Sequence, residues 1–307
     1  MHRPLRQHRE ESRGVALIAV LWLLALLTLL ATSAVALSAS HRRATQRLAQ
    51  AVELDARADS AIRLTLLRVI APRSPNERVP VGASLTVDVP DGPVQVSVER
   101  EIGRVDINTA SSALVFAVLA ANGLPDKQAQ ALANRIEDWK DPDDTARDQG
   151  AERGEYAAAG LRYVPRNGPF ESVEEVRQVL GAADIHAVFL NAFTVYSHAE
   201  APPETVASEP VKRALALADE RELDGHRWLA AREAGTNAPP TALAAAPGES
   251  PTLVGEVLRL RACAGEHTFK RCRLAIVRPT GGTLAPLQVF AWHIALVKST
   301  ESSSSAR

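Results

Sequence analysis

The sequence predicts an α+β protein, in which a long N-terminal helix packs on an antiparallel sheet and a helical domain is inserted into that sheet. Three observations predict this class. An apolar stretch near the N-terminus continues into an amphipathic one, and no Gly or Pro interrupts residues 15–71. Alternating, strand-like runs occur both before and after the middle of the chain. The middle itself has helical periodicity. With 307 residues, the chain has room for one or two folded units beyond the first helix.

The first helix is predicted over residues 15–71. From Val15 to Ala39 there are 25 residues without a charge, more than the about 20 that a helix needs to cross the hydrocarbon core of a bilayer. The basic residues before this run favour a cytoplasmic N-terminus. Apolar residues then keep helical spacing as far as Pro72, so one helix on the order of 80 Å is expected. These features predict a single-pass inner-membrane protein with the bulk of the chain in the periplasm.

The N-terminal residues resemble a type IV prepilin leader. Arg13-Gly14 stands directly before the apolar run, and prepilin peptidase cuts such leaders after the Gly. The resemblance implies cleavage between Gly14 and Val15, with a free or methylated Val15 as the mature N-terminus. Most pilins carry Glu at the fifth mature position, where this chain has Ala19. The K-type minor pseudopilins of type II secretion typically lack that Glu. A secretory signal peptide ending near residues 34–36 and an ordinary membrane anchor remain alternatives.

Strand signals flank the middle of the chain. Two alternating runs, Ser84–Val89 and Val94–Glu99, surround a Pro-Asp-Gly-Pro turn and predict a hairpin. The predicted C-terminal strands, which would complete the same sheet, are Thr252–Ala262, Arg271–Val277 and Leu287–Ile294. Cys263 and Cys272 lie at strand edges on either side of a Gly-containing segment. Opposed across a hairpin in an oxidising compartment, they can form a disulfide, and two unlinked thiols are the alternative.

The predicted helical insert contains helix-hairpin-helix signals. Residues 106–111 and 168–176 resemble the tandem helix-hairpin-helix (SAM-like) units of competence-type DNA receptors, which are also membrane-anchored. Such units bind phosphates through backbone N–H groups in a Gly-rich turn. Here the turn at 122–126 has one Gly and ends in Asp126. Residues 104–193 contain 9 Lys/Arg and 14 Asp/Glu, a net charge of −5. Cations neutralise phosphates in nucleic-acid binding, so no nucleic-acid partner is expected, and a membrane-tethered DNA-binding module is the alternative function.

An acidic segment lies within the insert. Residues 137–155 carry eight carboxylates in 19 residues, and these repel one another unless a cation screens them. The segment resembles the Asp-Trp-x-Asp-x-Asp stretch, followed by Gly-Ala-Glu and Tyr, of K-type pseudopilins. Ca²⁺ takes six to eight oxygen ligands, although Thr145 and Ala146 depart from an EF-hand loop. The predicted ligands of a structural Ca²⁺ are Asp138, Asp141, Asp143 and Glu152, with Asp144, Asp148 and Glu155 as alternates. A solvated loop paired with Arg135, Arg147 and Arg153 is the competing interpretation.

No catalytic motif is recognised, so the sequence predicts a non-enzymatic protein. A periplasmic hydrolase that uses the acidic residues is a rival hypothesis. The resemblance to K-type minor pseudopilins implies a structural protein that caps the tip of a periplasmic pseudopilus and helps initiate its assembly. It implies as partners the I- and J-type minor pseudopilins, the major pseudopilin and prepilin peptidase. The predicted organisation is a leader at 1–14, the long helix at 15–71, the first part of a pilin-like sheet at 72–103, the inserted helical domain with the acidic loop and linkers at 104–245, the C-terminal strands at 246–298 and a disordered tail at 299–307.

Overall fold

The structure is a computed structural model that describes residues 11–72, 79–221, 253–266 and 269–295. Residues 1–10 of the predicted leader, residues 222–252, which include a predicted linker at 235–251, and the predicted tail lie outside the described residues. The chain forms two compact units, Met1–Ala56 and Arg57–Arg307.

Helix α1, Glu11–Ile70, runs through the first unit and into the second. It ends close to Pro72, as the first helix-breaking residue predicts. In the first unit its large apolar side chains between Leu17 and Leu37 are 52–74% exposed. Among the described residues, no helix is both long enough and apolar enough to cross a membrane.

The second unit contains a five-stranded antiparallel sheet, which confirms the mixed α+β class. Its strands are β1 (Ser84–Val89), β2 (Gly92–Arg100), β5 (Leu258–Glu266), β6 (Phe269–Pro279) and β7 (Leu287–Ala295), in the order β1-β2-β5-β6-β7. Asp91 and Gly92 have φ angles of 68° and 117° in the β1–β2 turn, a backbone conformation that Asp tolerates and Gly adopts freely. The strands before and after the insert therefore pair in one sheet.

Within the second unit, α1 lies against one face of the sheet. Asp59 Oδ1 accepts hydrogen bonds from Arg273 Nε on β6 (2.8 Å) and from Trp292 Nε1 on β7 (2.7 Å). Ala58, Ala61, Ile62, Thr65 and Leu66 of the helix are buried. Alternate residues of the strands are buried as well, and they include Val94, Val96, Val98, Leu258, Leu260 and Ala262. Apolar residues on one face of the helix and one face of the sheet thus exclude water together.

The residues between β2 and β5 form a separate hydrophobic core. Its α-helices are α2 (Ser112–Ala121), α3 (Asp126–Lys140), α4 (Arg153–Ala158), α5 (Ala187–Leu190) and α6 (Glu209–Glu220). The periodicity predicts a wholly helical block, but the structure also contains two short strands here. They are β3 (Val105–Asp106), before α2, and β4 (Phe193–Thr194), between α5 and α6, and they pair in parallel. The segment 168–176, one of the two with the helix-hairpin-helix resemblance, leads into a 3₁₀ segment, Val173–Gln178, rather than an α-helix.

Candidate functional site

The two segments that carry the helix-hairpin-helix resemblance contact each other directly. Asn108 Nδ2 donates to the carbonyl oxygen of Phe170 (3.0 Å), and the Phe170 backbone N–H donates to Asn108 Oδ1 (2.8 Å). The buried carboxylate of Asp106 accepts from the backbone N–H groups of Asn108 (3.0 Å) and His198 (2.7 Å). The polar residues of the motif therefore hold the insert together, because each satisfies backbone groups of another segment.

The turn of the α2–α3 hairpin is covered by α6. Arg213 Nη2 donates to Asn122 Oδ1 (2.7 Å), and Asn122 Nδ2 donates to the carbonyl oxygen of Pro210 (3.0 Å). Arg221 Nη1 pairs with Asp126 Oδ2 at 2.8 Å. The side chains that flank the turn are thus engaged within the chain, and the carboxylate of Asp126 stands at the N-terminus of α3, where a phosphate would need to bind. This arrangement argues against the DNA-binding alternative.

Asp138 anchors the acidic loop at the end of α3. Its carboxylate is fully buried. It accepts from the backbone N–H of Ala151 (2.7 Å) and the backbone N–H of Arg147 (3.2 Å). A Cβ atom at Gly150 would lie 1.9 Å from Asp138 Oδ2, so the loop passes the carboxylate at a distance that only glycine permits. The carboxylate of Asp138, a predicted Ca²⁺ ligand, therefore accepts hydrogen bonds from backbone N–H groups of the loop.

Arg147 provides a cation inside the acidic loop. Its Nη1 lies 3.0 Å from Asp138 Oδ1 and also pairs with Asp141 Oδ2. The hydrogen bond to Asp141, followed by that to Asp138, raises the pKa of Arg147 above its ordinary value. The Arg147 side chain is 42% exposed, so one end of this ion pair remains in contact with solvent. The competing interpretation of an internally paired loop has its direct support here.

Glu152 is a buried carboxylate of this loop without an ion-pair partner among the described residues. It is the N-cap residue of α4 and is 4% exposed, and neither of its carboxylate oxygens has a hydrogen-bond partner among the described residues. Its backbone N–H donates to Glu155 Oε2 at 2.8 Å. Burial, reinforced by the carboxylates of Asp138, Asp141, Asp144 and Asp143 in that order, raises the pKa of Glu152 to about 7.

Asp143 bonds within the acidic loop, and Asp144 bonds to a residue outside it. Asp143 Oδ1 accepts from the backbone N–H of Thr145 (2.8 Å), and Asp144 Oδ1 accepts from Asn167 Nδ2 (3.3 Å). Asn167 adopts a φ of 50° and was not singled out by the sequence, because it lies 23 residues from Asp144. The expected partner Arg135 instead donates to the carbonyl oxygens of Gln149 and Leu180.

The donor set fits Ca²⁺ in chemistry and is not assembled as a metal site. Among the described residues, no group of three or more His, Cys, Asp or Glu side chains is placed to hold a metal ion. Asp138 and Asp141 both pair with Arg147, whereas Asp143 accepts from the backbone N–H of Thr145. The buried oxygens of this segment without a hydrogen bond are both oxygens of Glu152, Oδ1 of Asp141 and Oε1 of Glu137, and the last of these pairs with Lys140 at 2.9 Å. These are hard donors of the kind that Ca²⁺ prefers, and the guanidinium of Arg147 occupies the other oxygen of Asp141.

The aromatic residues of the acidic segment belong to the core of the insert. Trp139 is 2% exposed, and its ring centroid lies 6.1 Å from those of Tyr156 and Phe170. Tyr156 is fully buried, and its hydroxyl accepts from the backbone N–H of Leu180 at 2.9 Å. Tyr163, by contrast, is 42% exposed. The acidic loop is thus tied to the core through its aromatic neighbours.

A groove of about 1000 Å³ lies between the insert and the face of the sheet opposite α1. Residues of β5, β6 and β7 form one side, and residues of the 3₁₀ segment, α5 and α6 form the other. No carboxylate of residues 137–155 lines this groove. A hydrolase needs its acids in a cleft that admits substrate, so their placement gives no support to the rival hydrolase hypothesis.

The other sequence-predicted sites lie apart from the acidic loop. Cys263 and Cys272 form a disulfide between the neighbouring strands β5 and β6, with their Cα atoms 4.1 Å apart. Gly14 and Val15 lie in the first turns of α1, and their processing stays a prediction.

Comparisons with known proteins identify one segment of the chain. Residues 100–187 match the family described as "Type II secretion system (T2SS), protein K". A solved chain from the GspK-GspI-GspJ complex of the enterotoxigenic Escherichia coli Type 2 Secretion System is 15% identical, with a TM-score of 0.51. The match covers 85% of this chain and 99% of that chain, and at this identity it shows the fold. A comparison with curated proteins gave no match. The family match includes the hairpin, the acidic loop and the contact between Asn108 and Phe170.

Proposed function

We propose that the chain is the minor pseudopilin that caps the pseudopilus tip and helps initiate its assembly, because residues 100–187 match the type II secretion protein K family, in agreement with the resemblance stated from the sequence. The observation that carries the proposal is the position of this domain. It lies between β2 and β5, two strands that pair with each other in the sheet. A subunit of this kind joins a filament through its helix and sheet and keeps a large additional domain outside them.

The N-terminal helix supplies the second support. Its apolar side chains between Leu17 and Leu37 are exposed within the first unit, and a helix that is apolar on all sides needs an apolar environment. We propose that this segment is held first in the inner membrane and then among the helices of other pseudopilins, with the rest of the chain in the periplasm. This location rests on the uncharged run of 25 residues and on the family resemblance. At position 19, where most pilins carry Glu, this chain has Ala. A topmost subunit would have no neighbour to pair with that carboxylate, so the Ala suits this position.

The proposed partners are the I- and J-type minor pseudopilins. The structural neighbour comes from a complex of GspK, GspI and GspJ. The other proposed partners are the major pseudopilin, which would follow below the tip, and prepilin peptidase, which would cut after Gly14. The test is co-expression of the full chain with the I- and J-type proteins, followed by native mass spectrometry in detergent. The proposal predicts a complex with one copy of this chain. Recovery of the chain alone would contradict it.

We also propose that the acidic loop binds a structural Ca²⁺, with Glu152 and Asp141 as the principal ligands and Asp138 and Asp143 beside them. The unpartnered oxygens of Glu152 and Asp141 support this assignment. The ion would supply positive charge to a crowded set of carboxylates. It would compete with the guanidinium of Arg147, which is exposed enough to move away.

Calcium dependence of thermal unfolding tests this site. At free Ca²⁺ about 100-fold above its Kd, binding stabilises the folded chain by about 2.7 kcal/mol. Glu152→Gln should lose most of that gain, whereas Glu171→Gln, at an exposed position outside the loop, should keep it. An equal gain in both variants, or no effect of Ca²⁺ on the unsubstituted chain, would remove the site.

A further inference from the structure

The two edges of the sheet differ in a way that points to a partner. The outer strand β1 has six residues and includes Asp88. The opposite outer strand, β7, has nine residues, Leu287–Ala295, and contains no Asp, Glu, Lys or Arg. A Pro lies just outside each strand, Pro90 after β1 and Pro286 before β7. In the part of the chain that the structure describes, no strand pairs with the outer edge of β7. Proteins usually protect such an edge with charges, Pro or short length, because its free N–H and C=O groups accept another strand.

A bulge limits the usable part of this edge. Val289 pairs with Val277 and Ala291 pairs with Ile276, so Phe290 is an additional residue between consecutive partners. A bulge bends the strand and interrupts regular pairing. Beyond it, Ala291–Ala295 pair with β6 without a further shift. This uninterrupted segment of five residues matches the usual length of a strand, about five to six residues.

The same edge leaves apolar side chains half-exposed on the face that packs against α1. Val289 is 51% exposed and Ile294 is 50% exposed. Ile294 pairs with Arg273 and lies two residues from Trp292, and both of these neighbours bond to Asp59 of α1. Because side chains alternate between the faces of a sheet, Ile294 shares the face of Trp292. The apolar layer between helix and sheet is therefore open at this edge.

The adjoining flank of α1 carries one exposed apolar side chain, that of Leu67, beside two charged residues. Asp59, Arg63 and Leu67 follow at four-residue spacing and share one side of the helix. Asp59 bonds to Trp292, and Arg63 Cζ lies 5.9 Å from the centre of the Trp292 ring. Leu67 is 53% exposed. An added strand would extend the sheet alongside this flank and cover apolar surface on both the strand and the helix.

We infer that β7 is a docking edge for an extended strand of a sister pseudopilin, paired with Ala291–Ala295 and carrying apolar side chains over Ile294. The inference rests on the proposed function, which supplies the class of partner. The backbone groups on the outer edge of β7, with which no described strand pairs, select an extended polypeptide. The half-exposed side chains of Val289 and Ile294 select apolar side chains on the face of that strand that turns towards α1.

The remaining C-terminal sequence of this chain is a poor occupant. Residues 296–307 begin directly after β7, so the first of them would be used to reverse the chain direction. Residues 298–307 are polar apart from Ala306, so they offer no large apolar side chain to cover Ile294 or Val289.

Charged substitutions at the edge provide the first test. The full chain is co-expressed with the I- and J-type pseudopilins, and its affinity for them is measured in detergent. Ile294→Lys should weaken binding at least tenfold, because a Lys on an edge strand opposes pairing. Thr86→Lys, at an exposed position on the opposite edge strand, should stay within twofold of the unsubstituted chain. Equal affinity of all three proteins would overturn the docking edge and leave the proposed function standing.

Hydrogen exchange identifies the mode of contact. Strand addition should slow exchange at backbone amides of Ala291–Ala295 when the complex forms, and it should leave β1 unchanged. Protection that appears only on α1 would overturn the inference. Protection of β7 in the chain alone, together with a dimer by native mass spectrometry, would also overturn it, because the occupant would be a second copy. Failure of any complex to form would remove the proposed function and this inference together.

Discussion

A buried ion pair joins the entrance of the insert to its exit. Glu101 follows β2, where the chain leaves the sheet, and Arg259 lies on β5, where the chain returns. Arg259 Nε and Nη2 donate to the two carboxylate oxygens of Glu101 at 2.7 and 2.6 Å. Glu101 is fully buried. Although burial opposes ionisation, the pairing lowers the pKa of Glu101 and raises that of Arg259.

Arg259→Ala leaves the buried carboxylate of Glu101 without its bidentate partner. Breaking one side of a buried ion pair costs about 3–5 kcal/mol. Because Arg104 lies close enough to lower the pKa of Glu101 as well, we expect the lower end, about 3 kcal/mol. Unfolding by denaturant, followed by circular dichroism, measures this loss. Arg162→Ala, at an exposed position, should change stability by less than about 0.5 kcal/mol.

The pH dependence gives the sign of the effect. In the unsubstituted chain, the pKa of Glu101 is lowered on folding, so this group contributes stability above its unfolded pKa and loses it as the pH falls through the folded value. In Arg259→Ala the buried carboxylate is easier to protonate, so the difference between the two proteins should shrink in acid. Glu101→Gln with Arg259→Met should recover part of the loss, because neither residue is then charged. A loss below about 1 kcal/mol for Arg259→Ala, or a double variant less stable than the single one, would refute the reasoning.

Three further substitutions test the packing around the sheet and the insert by thermal unfolding. Asp59→Ala should cost about 1–3 kcal/mol, because two half-buried donors lose their shared acceptor; a neutral result would contradict the contact between α1 and the sheet. Gly150→Ala should destabilise the chain by more than about 2 kcal/mol, because its Cβ would clash with Asp138 and the loop backbone. Gly154→Ala, whose Cβ would meet nothing within 4 Å, should be neutral or stabilising in its helix. Equal effects of the two substitutions would exclude the close contact between Gly150 and Asp138. Asn108→Ala should cost about 1–3 kcal/mol by unpairing both backbone groups of Phe170, and no change would show that this contact does not hold the insert.

Local signals predicted much of the frame. The uninterrupted run from Val15 to Ala71 gave α1, and alternation around Pro90–Pro93 gave β1 and β2 within a few residues. The predicted C-terminal strands likewise correspond to β5, β6 and β7, although β5 begins at Leu258 rather than Thr252. Period and turn chemistry suffice for these elements because their partners are close in sequence or share one apolar face.

Contacts between distant residues could not be predicted. The parallel pairing of β3 with β4 involves two residues on each side, too few to show a period. Glu101 and Arg259 are 158 residues apart, and nothing local marks them as a pair. Arg147 appeared in the sequence only as one of three possible partners for the acidic loop. Its role as the cation between Asp138 and Asp141 depends on the loop turning back on itself at Gly150.

The most direct test of the pseudopilin account is intact mass spectrometry of the chain purified from cells that make prepilin peptidase and the sister pseudopilins. The account predicts a mature protein that begins at Val15, free or methylated, and a Gly14→Leu variant that keeps residues 1–14. A mature protein that begins near Ala39, or an unprocessed chain in the presence of active peptidase, would contradict it.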